Sequence, residues 1–87
     1  MTAPNDTLMW EVVAAPGRLP ELVSWVTTSV VPALRGEPAC RDVAVYEAAD
    51  DRAVVIARFD GEPVAVPAPP PELVARPPHQ WPFRRLL

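Results

Sequence analysis

The chain has no lysine, one cysteine, one histidine and three glycines among its 87 residues, and each shortage closes off a class of protein. A lone Cys40 cannot form a disulfide within the chain, and with no second cysteine or clustered histidine it cannot anchor a structural zinc site. No apolar run approaches the ~20 residues needed to cross a bilayer. No charged segment leads into a long apolar one at the N-terminus, so no secretory leader is expected and the chain reads as cytoplasmic. The eleven acidic residues outnumber the eight basic ones, all arginine, for a net charge of −3. With no basic stripe, nucleic acid is not an expected partner, and neither is a membrane. The chain also lacks a glycine-rich phosphate loop, a nucleophile elbow and any cluster with metal-ligand spacing, so no cofactor and no metal is expected.

What is present fits one small domain over residues 1–87. The composition is 49% hydrophobic and 22% charged, ordinary for a globular protein. A chain of this length buries only roughly 60–65% of its unfolded surface. Without disulfide or zinc, oligomerisation is the remaining way to hide more. The abundance of Ala, Val, Pro and Arg points to a GC-rich bacterial source.

Residues 1–7 are polar and turn-forming and read as a loose end. "LMWEVVAA", Leu8 to Ala15, closed by Pro16-Gly17, reads as a strand with Leu8, Trp10, Val12 and Ala14 on one face. Met9, Glu11, Val13 and Ala15 form the other face, also largely apolar, so cover on both sides is expected. From Leu19 to about Arg35 the period becomes helical, with a stripe of Leu19, Leu22, Val23, Val26, Val30 and Leu34. Val31 and Trp25 fall off that stripe. Pro20 suits a first turn, Pro32 predicts a kink or break, and Gly36 ends the helix.

Cys40 to Ala48 and Arg52 to Asp60 read as an antiparallel hairpin around a short polar turn. The expected register puts Val43, Val45, Val54, Ile56 and Arg58 on one face. Ala44, Tyr46, Val55, Ala57 and Phe59 fall on the other. The 62–78 segment holds seven of the thirteen prolines and is expected to be extended, with "PELVA" closing a single helical turn behind Pro71. "HQWPFRRL" then reads as a last strand, held at a sheet edge because Pro82 cannot donate to a ladder. Trp81 and Phe83 in it call for burial.

The order is β-α-β-β, an irregular segment where a second helix would stand, then β. That is the ferredoxin-like plan of an α+β fold, in which the helical crossover sets the first strand beside the third. A helix layer covers one sheet face, and in so small a chain a second copy is the natural cover for the other.

Three stretches, "MWEVVAAPGRLPELVSWV", "YEAADDRAVVIARFDGEP" and "RPPHQWPF", together resemble the small bacterial members of the antibiotic biosynthesis monooxygenase-like, dimeric α+β-barrel superfamily. The likeness runs from Leu8 to Arg85 and rests mainly on the order of elements. It implies a homodimer in which two four-stranded sheets close a barrel. It also implies an activity such as cofactor-independent oxygenation of aromatic or polyketide compounds in secondary metabolism. The superfamily also holds haem-degrading enzymes and proteins of unknown role. The proline-rich 62–78 segment departs from the pattern, because the second helix it replaces commonly walls the pocket.

Five residues stand out as candidates. His79 carries the one side chain that readily exchanges a proton near neutral pH, and beside Trp81 it could act as a catalytic base toward a phenolic substrate. It could equally serve as a structural donor to a backbone carbonyl. Trp81 could stack on a ligand or pack at an interface. Glu11 and Arg58 could face each other across neighbouring strands, either as a rim ion pair or as a polar spot that orients a ligand. Tyr46 could donate to a substrate oxygen or only tuck its ring away. The two functions these readings lead to are a cofactor-free oxygenase and a non-catalytic dimer that binds a small aromatic ligand or a partner.

Overall fold

A computed structural model describes residues 5–87. The strands are β1 (Thr7–Val13), β2 (Cys40–Ala48), β3 (Arg52–Phe59) and β4 (His79–Phe83), and they form one antiparallel sheet in the order β2-β3-β1-β4. The first strand lies beside the third, as the ferredoxin-like plan requires. β4 is an edge strand, in keeping with Pro82.

β1 ends in a reversal over Ala15-Pro16-Gly17-Arg18, closed by the Arg18 N–H on the Ala15 carbonyl at 2.9 Å. Gly17 there has φ +74°, a left-handed geometry that suits glycine after proline in a type II turn. The chain then enters α1 (Leu19–Trp25), with Pro20 in the first turn where its missing N–H is not needed. Arg18 braces the start through Nε, 2.8 Å from the Glu21 carboxylate.

Pro32 does not end the helix. A π turn (Val26–Val30) precedes it, and the Val31 N–H donates to the Val26 carbonyl five residues back. The helical backbone runs on as α2 (Val31–Arg35). Widening the coil one turn early lets the chain absorb the donor that proline lacks. The Thr27 and Thr28 hydroxyls bond back to the Val23 and Ser24 carbonyls, each at 2.9 Å. After Gly36 the chain turns into β2.

The core lies between this helix and one face of the sheet. Leu22, Val26, Val30 and Leu34 pack on Leu8, Trp10, Val12 and Ala14 of the β1 region and on Ala53, Val55, Ala57 and Phe59 of β3. Trp10 anchors it at 2% exposure. Full burial of each large apolar side chain contributes about 1.5–3 kcal/mol. The helical stripe is as expected, with one correction: Val31 is buried too, although outside the main cluster.

From Gly61 to Pro78 the backbone is irregular except for a 3-10 turn (Pro71–Leu73) led by Pro71. The segment is nonetheless tied down. Leu73 is buried in the core, and Val64, Val66 and Val74 pack against it. The Ala15 N–H donates to the Leu73 carbonyl and the Ala75 N–H to the Val13 carbonyl, each at 2.9 Å. It lies on the helix side of the sheet, where the ferredoxin-like plan has its second helix.

Two expectations are corrected by backbone geometry. The loose end expected over 1–7 lies outside the described residues for 1–4, but its last residues are held. The Asp6 N–H donates to the Phe83 carbonyl at 2.9 Å, and the Phe59 N–H to the Asp6 carbonyl at 2.8 Å. The β2–β3 register is also displaced by one residue from the expected one. Val43 pairs with Ala57 and Val45 with Val55, while Ala44 pairs with Ile56 and Tyr46 with Val54. A loop of three residues, the length that the strand bounds leave, sets even-numbered residues opposite even-numbered ones. Ala48 pairs with Arg52 across three residues, and two of them, Asp50 and Asp51, sit at φ +63° and +56°. Aspartate tolerates that left-handed region better than most residues, so the loop closes at three and fixes which side chains share a face.

Candidate functional site

Residues opposite one another in an antiparallel ladder share a face, so the register maps the side of the sheet away from the helix. One row across β4, β1, β3 and β2 reads His79, Glu11, Val54, Tyr46. The next reads Trp81, Met9, Ile56, Ala44. A third reads Phe83, Thr7, Arg58, Asp42, and Val13, Arg52 and Ala48 make a short fourth. The middle of this open face is apolar and its two ends carry the charges.

All five candidate residues lie on it. His79 and Trp81 stand together on β4 with ring centroids 5.5 Å apart, tilted by 37°. Glu11 is the cross-strand neighbour of His79 on β1. Tyr46 belongs to the same row but lies three strands away, about 14 Å at the usual strand spacing. Arg58 belongs to the opposite end. Three candidates therefore form one local group, and Tyr46 and Arg58 do not join it within the chain.

The expected Glu11–Arg58 pair does not form. β1 and β3 are neighbours, but their register sets Arg58 opposite Thr7 and Glu11 opposite Val54. Glu11 instead lies 3.7 Å from Arg52 Nε, and Arg58 Nε lies 3.9 Å from the Asp42 carboxylate. Arg52 and Asp42 are the partners that sequence reading missed. The period-two alternation that places Glu11 on this face also selects Arg52 and Asp42, once the three-residue loop is known.

Trp81 and Phe83 are not buried by the chain. They are 41% and 46% exposed, and Tyr46 is 52% exposed. Both faces of β1 were expected to be covered; the helix and the proline-rich segment cover one, and no segment among the described residues covers the other.

The described residues also form two clefts. One, of about 220 Å³, is lined by Asp6, Thr7, Arg41, Arg58, Phe59, Asp60 and Arg85. Arg41 bonds Asp60 there at 3.1 Å, and the Asp6 carboxylate accepts from the backbone N–H of Arg85 at 2.9 Å. The other cleft, of about 350 Å³, is an open apolar groove along Ala68, Pro69, Pro71, Val74, Pro77 and Pro78, with Arg76 at its side. Neither holds His79 or Trp81. Among the described residues no group of three or more His, Cys, Asp or Glu side chains is placed to hold a metal ion. No helix among the described residues is long and apolar enough to cross a membrane. Cys40 opens β2, half-buried, its Sγ 3.9 Å from the Asp42 carbonyl.

In comparisons with known proteins, no family model, no curated protein and no solved structure matches the chain.

Proposed function

We propose that the chain works as a homodimer that binds a small aromatic molecule between two sheets, each covering the open face of the other. The observation that carries this reading is the open face itself. It sets Trp81, Phe83, Met9, Ile56 and Tyr46 on one side of a sheet whose other side is packed under the helix along β1 and β3. A contiguous exposed apolar surface rimmed by charge marks an interaction site. Facing copies would enclose an apolar space with His79, Glu11 and Tyr46 at its margin, the mix that orients a planar ligand bearing a hydroxyl or carbonyl. The likeness of the sequence to the dimeric α+β-barrel superfamily supports the same arrangement.

The test is solution mass combined with ligand titration. The wild-type chain is expected to sediment at dimer mass or above and to bind a naphthol saturably, as followed by tryptophan emission. Ile56→Asp is expected to keep the circular dichroism spectrum but to halve the mass and abolish naphthol binding. A stable wild-type monomer overturns the proposal.

A catalytic version is favoured by one observation, the contact of His79 with Trp81 on the open face beside Glu11. An imidazole there could take the proton of a phenol lying on the indole, leaving a phenolate that stabilises its own carbanion for reaction with dioxygen. Oxygen uptake with electron-rich phenols measures it. Equal turnover in His79→Ala would remove His79 from the role.

A further inference from the structure

The sheet has two free edges, and they are finished differently. β4 is short, five residues, and is interrupted by Pro82, one of the standard devices that keep an edge from pairing. β2 is nine residues long, without proline or glycine, and the chain has no lysine to set there. Its outer side is bordered by no other strand.

The order of residues along this edge is self-complementary. Around Ala44 the strand reads Arg41-Asp42-Val43-Ala44-Val45-Tyr46-Glu47. When two such strands run antiparallel about an axis at Ala44, Val43 meets Val45 of the second copy, Asp42 meets Tyr46, and Arg41 meets Glu47. Each pairing occurs twice. The centre is apolar, a tyrosine hydroxyl can donate to each aspartate, and opposite charges close both ends. Arg41, Asp42, Tyr46 and Glu47 are exposed, and Val43, Ala44 and Val45 are half-buried. Arg41 does bond Asp60 at present, but both side chains are about two-thirds exposed, and so open a pair holds an arginine weakly. The register shift between Cys40 and Asp42 falls at Arg41, so the regular ladder begins at Asp42 and the Arg41–Glu47 contact closes the stretch from beside it.

We propose that β2 is a second homotypic interface, through which two copies join edge to edge into one continuous eight-stranded sheet. This is independent of the sheet-face contact. If both operate, the assembly is a tetramer of two interface types.

Mass measurement on charge variants in a Trp81→Glu background separates the two contacts, because that change disrupts the open face three strands away from β2. The Trp81→Glu chain is expected to remain a dimer. Adding Glu47→Arg, which sets Arg41 against arginine, is expected to halve its mass. Adding Arg41→Glu as well restores opposite charges and is expected to restore the dimer. Independently, Ala44→Cys with Cys40→Ser is expected to cross-link on oxidation. Directly opposed residues lie about 4.5–5.5 Å apart at Cα, within the range a disulfide spans. A monomer in the Trp81→Glu background without cross-linking overturns the proposal, and so does a dimer that Glu47→Arg leaves intact.

Discussion

The face under the helix and the face opposite it are built from the same strands, one residue out of step. Along β3, Ala53, Val55, Ala57 and Phe59 are buried, while Arg52, Val54, Ile56 and Arg58 alternate with them on the open side. The covered set is wholly apolar. The open set is apolar in the middle and charged at both ends, Glu11 with Arg52 and Asp42 with Arg58. A face meant for water alone would not hold Trp81, Met9, Ile56 and Phe83 together, and one meant for a helix would not keep four charges. The difference between them is that between a packed core and the open face on which the proposed dimer rests.

The most forceful way to break the comparison is to put the same charge on each side of one peptide bond. Val55→Asp sets an unpaired carboxylate into the core, a cost expected to exceed ~4 kcal/mol. That is of the order of the whole stability of so small a chain, about 5–10 kcal/mol. Circular dichroism should show an unfolded protein. Ile56→Asp, its neighbour, should fold normally and differ in solution mass and naphthol binding. If both unfold, the open face is part of the core. A gentler version compares tryptophans. Trp10→Ala is expected to cost about 3–5 kcal/mol in urea denaturation, whereas Trp81→Ala should change the stability of the isolated chain by less than ~1 kcal/mol.

Smaller effects sharpen how the two faces are told apart. Asp50→Val places a β-branched residue at φ +63° and is expected to destabilise the hairpin by about 1–2 kcal/mol. Denaturant midpoints would detect it, and an unchanged midpoint would mean the loop geometry does not constrain the register. Smallest of all, Glu11→Gln removes a 3.7 Å pair with a half-exposed Arg52. Its expected cost is below ~1 kcal/mol and should shrink further in high salt. A larger loss would show that Glu11 carries more of the sheet than its geometry implies.

Much of this was readable from the residues. The alternation of Leu8, Trp10, Val12 and Ala14, the helical stripe, the single turn at Pro71 and the edge position enforced by Pro82 all follow from local patterns that the structure repeats. Register did not follow. It depends on whether a loop closes over an even or odd number of residues, which here rests on two aspartates adopting left-handed backbone. A change of one residue exchanges every partner, which undid the grouping of Tyr46 with Val55, whereas the Glu11–Arg58 pairing failed because the β1–β3 ladder sets the two residues four apart on the same face. The fate of Trp81 and Phe83 was hidden for a different reason. Local composition shows that a side chain is apolar but not whether its own chain has enough material left to cover it.

The π turn before Pro32 also has a geometric effect on the helix as a whole. Leu22, Val26, Val30 and Leu34 recur every fourth residue. In an unbroken α-helix each such step over-rotates by about 40°, so the last of them would point about 120° away from the first. A π turn uses more residues for one revolution, and therefore takes back part of the rotation that a four-residue repeat adds. Placed between Val26 and Val30, it acts as a phase correction in the middle of the run. The four side chains can then lie along a nearly straight line over the sheet, instead of winding off it.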